Sequence, residues 1–319
     1  MTIAYDSQLK QKRPPKRMKV RYGPDGVHIF DRSLGTNILL DEKIPSPESW
    51  TDSPRQVSIA LTNACDLSCT HCYAAKKPAN LNKESVKRWM LELDKAGSLG
   101  IGFGGGEPTL HPAIVEICQF GQEKTGLAIS MTTHGHRLTP NLIAQLEPCV
   151  HFLRVSMDGT GPTYEAIRGR PFDVLIEKLE LLKGRIPFGI NYVVNHKTIN
   201  DLSVAAEIAV ASGATELLLL PEEGIGLGKR IDSKTIEQLQ AWVENYSGNI
   251  RLSISSGYQS IVDTQLPLIK EPAHLAFAHI DAEGVLKRTS FDRTGLKIDD
   301  ANVLDVFKRL PFRIESKLV

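Results

Sequence analysis

The chain has 319 residues, 41% of them hydrophobic and 24% charged, with a formal net charge of +1. That length holds one large domain plus an appendage, and the composition is ordinary for a globular protein. A balance this even excludes a global field for nucleic acid or an acidic membrane. No apolar run approaches the ~18 residues of a membrane span, and the N-terminus lacks the apolar core of a secretory signal.

The basic run from Lys10 to Lys19 reads as a frayed, solvated tail, with an interaction arm as the alternative. Two short strands follow in "MKVRYGPDGVHIFDR", around a Pro24-Asp25-Gly26 turn, and then a linker rich in Pro and Ser, "IPSPESWTDSPR". From residue 56 a rhythm sets in. Strands are expected at 56–63, 99–106, 127–133, 151–159, 187–195 and 214–221. Helices fall between them at 82–97, 112–126, 139–148, 171–184 and 199–213, the third capped by Thr139.

Six βα units with short connections imply a parallel sheet with right-handed crossovers. They fit a partial (β/α)6 TIM-type barrel better than an open doubly wound sheet, which places function at the strand C-termini. After Pro221 come a further helix at 233–248, a strand at 250–255, a hairpin around Glu283-Gly284 within 277–291, and a helix at 302–310. The fold class is therefore α/β: the partial barrel with an N-terminal β-hairpin extension and a small C-terminal α+β extension. The domain boundaries are expected at 1–54, 55–228 and 229–319.

The five cysteines are Cys65, Cys69, Cys72, Cys118 and Cys149. So few in a chain of this size are no disulfide scaffold, and imply a reduced, cytoplasmic protein. Cys118 and Cys149 read as buried apolar residues. The other three, in "CDLSCTHC", directly follow the first barrel strand with C-x3-C-x2-C spacing. A thioredoxin-like pair would leave Cys65 idle. A structural zinc needs a fourth ligand, for which His71 and His111 are candidates, although His71 sits between two ligands and would point away. A [4Fe–4S] cluster on three thiolates is the reading the spacing favours, with zinc and inert core cysteines as alternatives.

Placed there, C-x3-C-x2-C resembles the signature of the radical S-adenosylmethionine (SAM) enzymes. The resemblance implies metal ligands Cys65, Cys69 and Cys72, one iron open to SAM, and a 5′-deoxyadenosyl radical that abstracts hydrogen from substrate. "FGGGEP" ends the second strand and resembles the family's GGEP turn at Gly105, Gly106, Glu107 and Pro108, whose backbone would meet the SAM ammonium. "MTTHGH" ends the third strand, with His134 where similar enzymes carry Asn. Thr132 or Thr133 is expected at the SAM carboxylate, and His134 and His136 are pocket candidates. "RVSMDG" resembles S-x-D-G, which makes Ser156 a SAM contact and Asp158 a support or turn residue. Arg168 is expected at a carboxylate or in a surface ion pair. Asn195 is expected at the ribose, Leu220 and Pro221 near the adenine, and Glu222 and Glu223 at the mouth or in a solvated turn.

The tail resembles the SPASM or twitch extension of peptide-modifying members, but no cysteine follows Cys149, so an auxiliary cluster is absent from this reading. The overall pattern is similar to Nif11-type peptide maturases, including spliceases that excise tyramine at a Tyr-Gly step. The implied function is modification of a ribosomally synthesised precursor peptide. The implied partners are a small leader-peptide-recognition protein, because some 50 N-terminal residues are too few for a full recognition domain, and a flavodoxin or ferredoxin as electron donor. The alternative is a small-molecule enzyme, such as a sugar or nucleotide decarboxylase, dehydratase or epimerase. A non-catalytic relic is a third class.

Overall fold

The computed structural model describes residues 17–75, 77–264 and 272–311. Most of the basic run at 10–19 lies outside them. In chain order the elements are β1 (Met18–Gly23), β2 (Gly26–Asp31), β3 (Thr36–Leu40), β4 (Gln56–Thr62), α1 (Lys83–Lys95), β5 (Gly100–Gly105), α2 (Ile114–Lys124), β6 (Ala128–Thr133), α3 (Pro140–Leu146), β7 (Phe152–Ser156), α4 (Gly161–Arg168), α5 (Phe172–Leu182), β8 (Phe188–Val194), α6 (Leu202–Ala211), β9 (Glu216–Pro221), α7 (Ser233–Glu244), β10 (Arg251–Ile254), α8 (Ala273–Ala276), β11 (Phe277–Ile280), β12 (Val285–Lys287), β13 (Leu296–Lys297) and α9 (Val303–Arg309).

The main sheet has ten strands in the order β10-β9-β8-β7-β6-β5-β4-β11-β12-β13. Every pairing from β10 to β11 is parallel. Because β4 to β9 lie side by side in sequence order, each crossover runs in the same direction. Right-handed crossovers then put all their helices on one face and leave the other face as an inner wall. Among the described residues no closed barrel forms. The expected six-stranded unit is present, and residues beyond 228 flank it on both edges with β10 and β11. The anticipated C-terminal hairpin is β11–β12, and it joins the sheet by pairing β11 with β4, Ala278 opposite Val57.

Strand alternation divides the two faces. On β7, Leu153 and Val155 are buried under the helices while Phe152, Arg154 and Ser156 are half-buried on the inner wall. The core lies between sheet and helices: Ile59, Ile101, Phe103 and Ile129 meet Val86, Met90 and Ile117, all at most 1% exposed. Each such side chain contributes roughly 1.5–3 kcal/mol by leaving water.

The N-terminal hairpin acquires a third strand, β3, and forms a separate three-stranded sheet. Its inward face is polar. Lys19 binds Asp94 at 2.6 Å, Arg21 reaches the Ser53 carbonyl at 2.7 Å, and Arg32 donates to the carbonyls of Gln122, Thr125 and Leu127. These acceptors lie at or beyond the C-terminal ends of α1 and α2, ahead of β4 and β6. The extension is thus anchored at the N-terminal end of the strands, away from the cysteines that follow β4.

Candidate metal centre

The loop after β4 is closed on itself. Asn63 N donates to Ala79 O at 3.0 Å and Leu81 N to Leu61 O at 2.9 Å, so the chain leaves β4 and returns beside it. Within this loop Cys69 is buried and Cys65 and Cys72 are half-buried, with Cys72 N donating to Cys69 O at 3.3 Å. A cavity of about 300 Å³ opens beside Cys65, lined also by Asn63, Leu67, Ser68 and Asn80. Burial pushes the Cys65 and Cys69 thiols above the usual range. A bound cation reverses that balance and deprotonates a coordinating thiol outright.

The Gly105–Pro108 turn is pressed onto the start of the loop. Gly106 N donates to Thr62 O at 2.7 Å and Glu107 N to Ala64 O at 2.8 Å. A Cβ on Gly106 would stand 2.2 Å from Ala64 O, and Gly105, at φ +120°, is as tight against Thr62 O. The close approach these glycines permit is therefore to the cysteine loop's own backbone.

Glu107 is wholly buried. Its carboxylate accepts from Thr109 N (3.1 Å), Thr109 Oγ1 (2.7 Å), Thr133 Oγ1 (2.8 Å) and His134 N (2.9 Å). Glu107 and Thr133 thus brace each other. His134, buried, points its Nε2 at Asp66 Oδ1, 2.9 Å away, and ties the residue after Cys65 to the end of β6. The ligand atoms of Cys65, Asp66 and His134 lie within 4.8 Å of one another. His136 bonds the Tyr164 hydroxyl at 2.7 Å.

Asp158 is a buried hub. It accepts from Arg168, from His71 Nε2 at 3.1 Å and from Val193 N at 2.8 Å. Burial alone would raise its pKa, but Arg168 and His71 outweigh that and hold the carboxyl at about 2. Arg168, far from being in a surface pair, is 11% exposed and also places Nη1 3.4 Å from Cys69 Sγ. Neither the Asp66–His134 tie nor the Arg168–Cys69 contact has a local sequence signal.

Ser156 stands half-buried at the end of β7. Asn195 sits farther round the sheet, after β8. Its Nδ2 donates to Glu222 Oε2 at 2.8 Å, and its Oδ1 accepts from Lys197 N and Thr198 N. Glu222, expected at the mouth or in a solvated turn, is 9% exposed and also accepts from Lys229 N. The glycine-rich turn beyond it crosses to the cysteines, with Leu227 N donating to Cys72 O at 3.1 Å. Cys118 and Cys149 are both buried, away from this loop.

The donor set fits a soft, iron–sulfur type of centre. Three thiols share one short loop, and the nearby His71 Nδ1 and Arg168 Nε are buried without a hydrogen-bond partner among the described residues. Residues 59–208 match the radical SAM superfamily model. Residues 59–208 are a radical SAM domain. Radical SAM proteins use a [4Fe–4S] cluster and SAM.

Relatives of this chain include an AdoMet-dependent heme synthase of Methanosarcina barkeri, 32% identical over 52% of this chain and 50% of its own. A mycofactocin maturase, MftC, of Mycolicibacterium smegmatis is 29% identical over 53% of this chain and 45% of its own. The chain thus spans about half the length of these curated relatives. Among solved structures, Streptococcus suis SuiB superposes with a TM-score of 0.71 at 13% identity, covering 92% of this chain and 87% of SuiB. That likeness is one of fold. Among the described residues, no helix is long and apolar enough to cross a membrane.

Proposed function

We propose that this chain is a radical SAM enzyme that modifies a ribosomally synthesised precursor peptide. The observation that carries the first half is the closed loop of Cys65, Cys69 and Cys72, with the Gly105–Pro108 turn docked on its backbone and Arg168 on Cys69 Sγ. These cysteines would hold the cluster. The turn at Gly105, Gly106, Glu107 and Pro108, with Thr133, Ser156 and Asn195, would form or support the SAM-facing wall. When bound and reduced, the cluster supplies the electron that breaks a carbon–sulfur bond of SAM. The protein's part is placement: Asp158 fixes Arg168, Glu107 and Thr133 fix the β5 and β6 ends, and the 222–229 turn closes over Cys72.

The peptide half is supported by a relative named as a peptide-acting protein, the PqqA peptide cyclase of Ruegeria pomeroyi (29% identical over 54% of this chain), beside MftC, which is named as a maturase. Its narrower form is excision of tyramine at a Tyr-Gly step. In this reading 55–228 hold the chemistry, while 1–54 and 229–319 serve recognition. A small leader-recognition protein and a flavodoxin or ferredoxin act as partners in the cytoplasm. The heme synthase likeness supports the second reading, a small-molecule substrate.

Two experiments separate these readings. Anaerobically reconstituted protein with SAM and dithionite should form 5′-deoxyadenosine, and none would reject an enzyme. Co-expression with short peptides encoded beside its gene should change one peptide's mass, by loss of tyramine in the narrow form. Unchanged peptides alongside 5′-deoxyadenosine formation would move the reading to a small molecule.

A further inference from the structure

The inner wall of the sheet is unlike the packed bore of a closed TIM barrel, where branched apolar side chains fill successive layers. Ser58, Gly102 and Ser130 stand in register on β4, β5 and β6, all half-buried. On β7 the strip meets Phe152, and two residues further along, opposite Thr132, stands Arg154, whose side chain is 29% exposed.

Arg154 is placed by a built arrangement. Its neighbour on β8 is Gly189. A Cβ there would lie 2.9 Å from Glu216 O and 3.1 Å from Phe152 Cζ. The glycine leaves room for the Phe152 ring, and beside it the guanidinium reaches across β8 to Glu216 on β9 at 2.7 Å. The guanidinium carbon stands 5.3 Å from the Phe152 ring centroid, which gives it an aromatic floor. Asn191 Oδ1 accepts from Nη1 at 3.4 Å. Glu216, 5% exposed, is also held by Arg251 at 3.2 Å and by the Ser253 hydroxyl.

Two guanidiniums thus share one carboxylate, and Arg154 Nε has no partner among the described residues. A forked, partly desolvated guanidinium with spare donors and an aromatic floor matches the planar, bidentate geometry of a carboxylate.

We propose that Arg154 is a binding residue for a carboxylate on the substrate, seated against the inner wall below the end of β7. In a peptide the carboxylate would come from an acidic side chain or the chain terminus. Because this seat would hold part of the substrate of the reaction proposed above, it is tested by binding alone, so that its failure is distinct from failure of SAM cleavage.

Full-length protein, reconstituted anaerobically with SAM, is titrated calorimetrically with N-acetylglutamate α-amide and with N-acetylalanine. The uncharged controls are N-acetylglutamine amide and N-acetylalanine amide. At least one acid is expected to bind about ten-fold tighter than its control. The winning acid tells side-chain from terminal recognition. Arg154→Gln should erase the preference and Arg154→Lys should keep part of it, each melting as a folded protein because Glu216 retains Arg251 and Ser253. Gly189→Ala keeps every charge and should still weaken acid binding, by pushing aside the Phe152 ring on which the guanidinium rests. Acids and controls binding alike, no saturable binding of either acid, or a preference that survives Arg154→Gln or Gly189→Ala would overturn the proposal.

Discussion

Arg168 on α4 places its Nη1 3.4 Å from the Sγ of Cys69 while its other terminal nitrogen is bound to Asp158. One side chain therefore ties the β7 loop to the middle cysteine of the loop after β4. Hydrogen bonds to cluster sulfurs are among the levers that set iron–sulfur potentials.

Replacing Arg168 by Met strands the Asp158 carboxylate in the core with only His71 and the Val193 amide. Removing one partner of a buried ion pair costs about 3–5 kcal/mol. Urea denaturation should show a loss of that size. In reconstituted protein the midpoint potential, followed by electron paramagnetic resonance, should fall because a donor to the thiolate is gone. Arg168→Lys should recover part of both effects. An unchanged potential would show that the contact is only structural.

Glu107 accepts from donors alone, so Glu107→Gln must turn an amide N–H₂ toward one of them. Losing charge-assisted bonds in a wholly buried site should cost about 2–3 kcal/mol. Thr133→Val removes only one of those donors and should cost about 1 kcal/mol. Thermal and urea melts of both variants check the ranking.

Gly106→Ala places a methyl 2.2 Å from the Ala64 carbonyl oxygen, against backbone that cannot swing aside. The segment leading into Cys65 must move. Iron bound per chain after reconstitution is expected to drop by more than half, roughly the outcome when a site loses the backbone support of a ligand. Gly184→Ala, in open space though at positive φ, is the control for strain without a clash.

Burial holds His136, His151 and His279 neutral, each lowered to about 4 from 6.5. Between these values the unfolded chain binds protons that the folded chain does not. Their contribution is complete above about pH 6.5 and is lost as the pH falls toward 4. For His279, 8% exposed, the slope approaches ~1.4 kcal/mol per pH unit. Denaturation midpoints at pH 7, 6 and 5 should fall in order, and His279→Gln should flatten the decline.

The repeating core was legible because buried parallel strands and amphipathic helices each carry a local period: Gln56–Thr62, Lys83–Lys95 and Phe188–Val194 stand within a residue or two of where their patterns place them. β3 was not, since Thr36–Leu40 lacks the alternation of a half-buried strand and its side chains are mostly exposed. α4 opens with Gly161-Pro162 and is too short to show a period. The pairing of β11 with β4 joins residues some 220 positions apart, which no local pattern encodes. The cysteine loop and its glycine turn were visible as motifs. The ties that orient them, Arg168 to Cys69 and His134 to Asp66, depend on chain crossings that only the fold supplies.

The central claim is that Cys65, Cys69 and Cys72 hold a cluster with one iron left for SAM. The most direct measurement is metal analysis with electron paramagnetic resonance of anaerobically reconstituted, dithionite-reduced protein, with and without SAM. The account predicts about four irons per chain and a spectrum that changes when SAM is added, with both lost in a triple Cys→Ala variant. Stoichiometric zinc in place of iron, or a cluster spectrum indifferent to SAM, would contradict it.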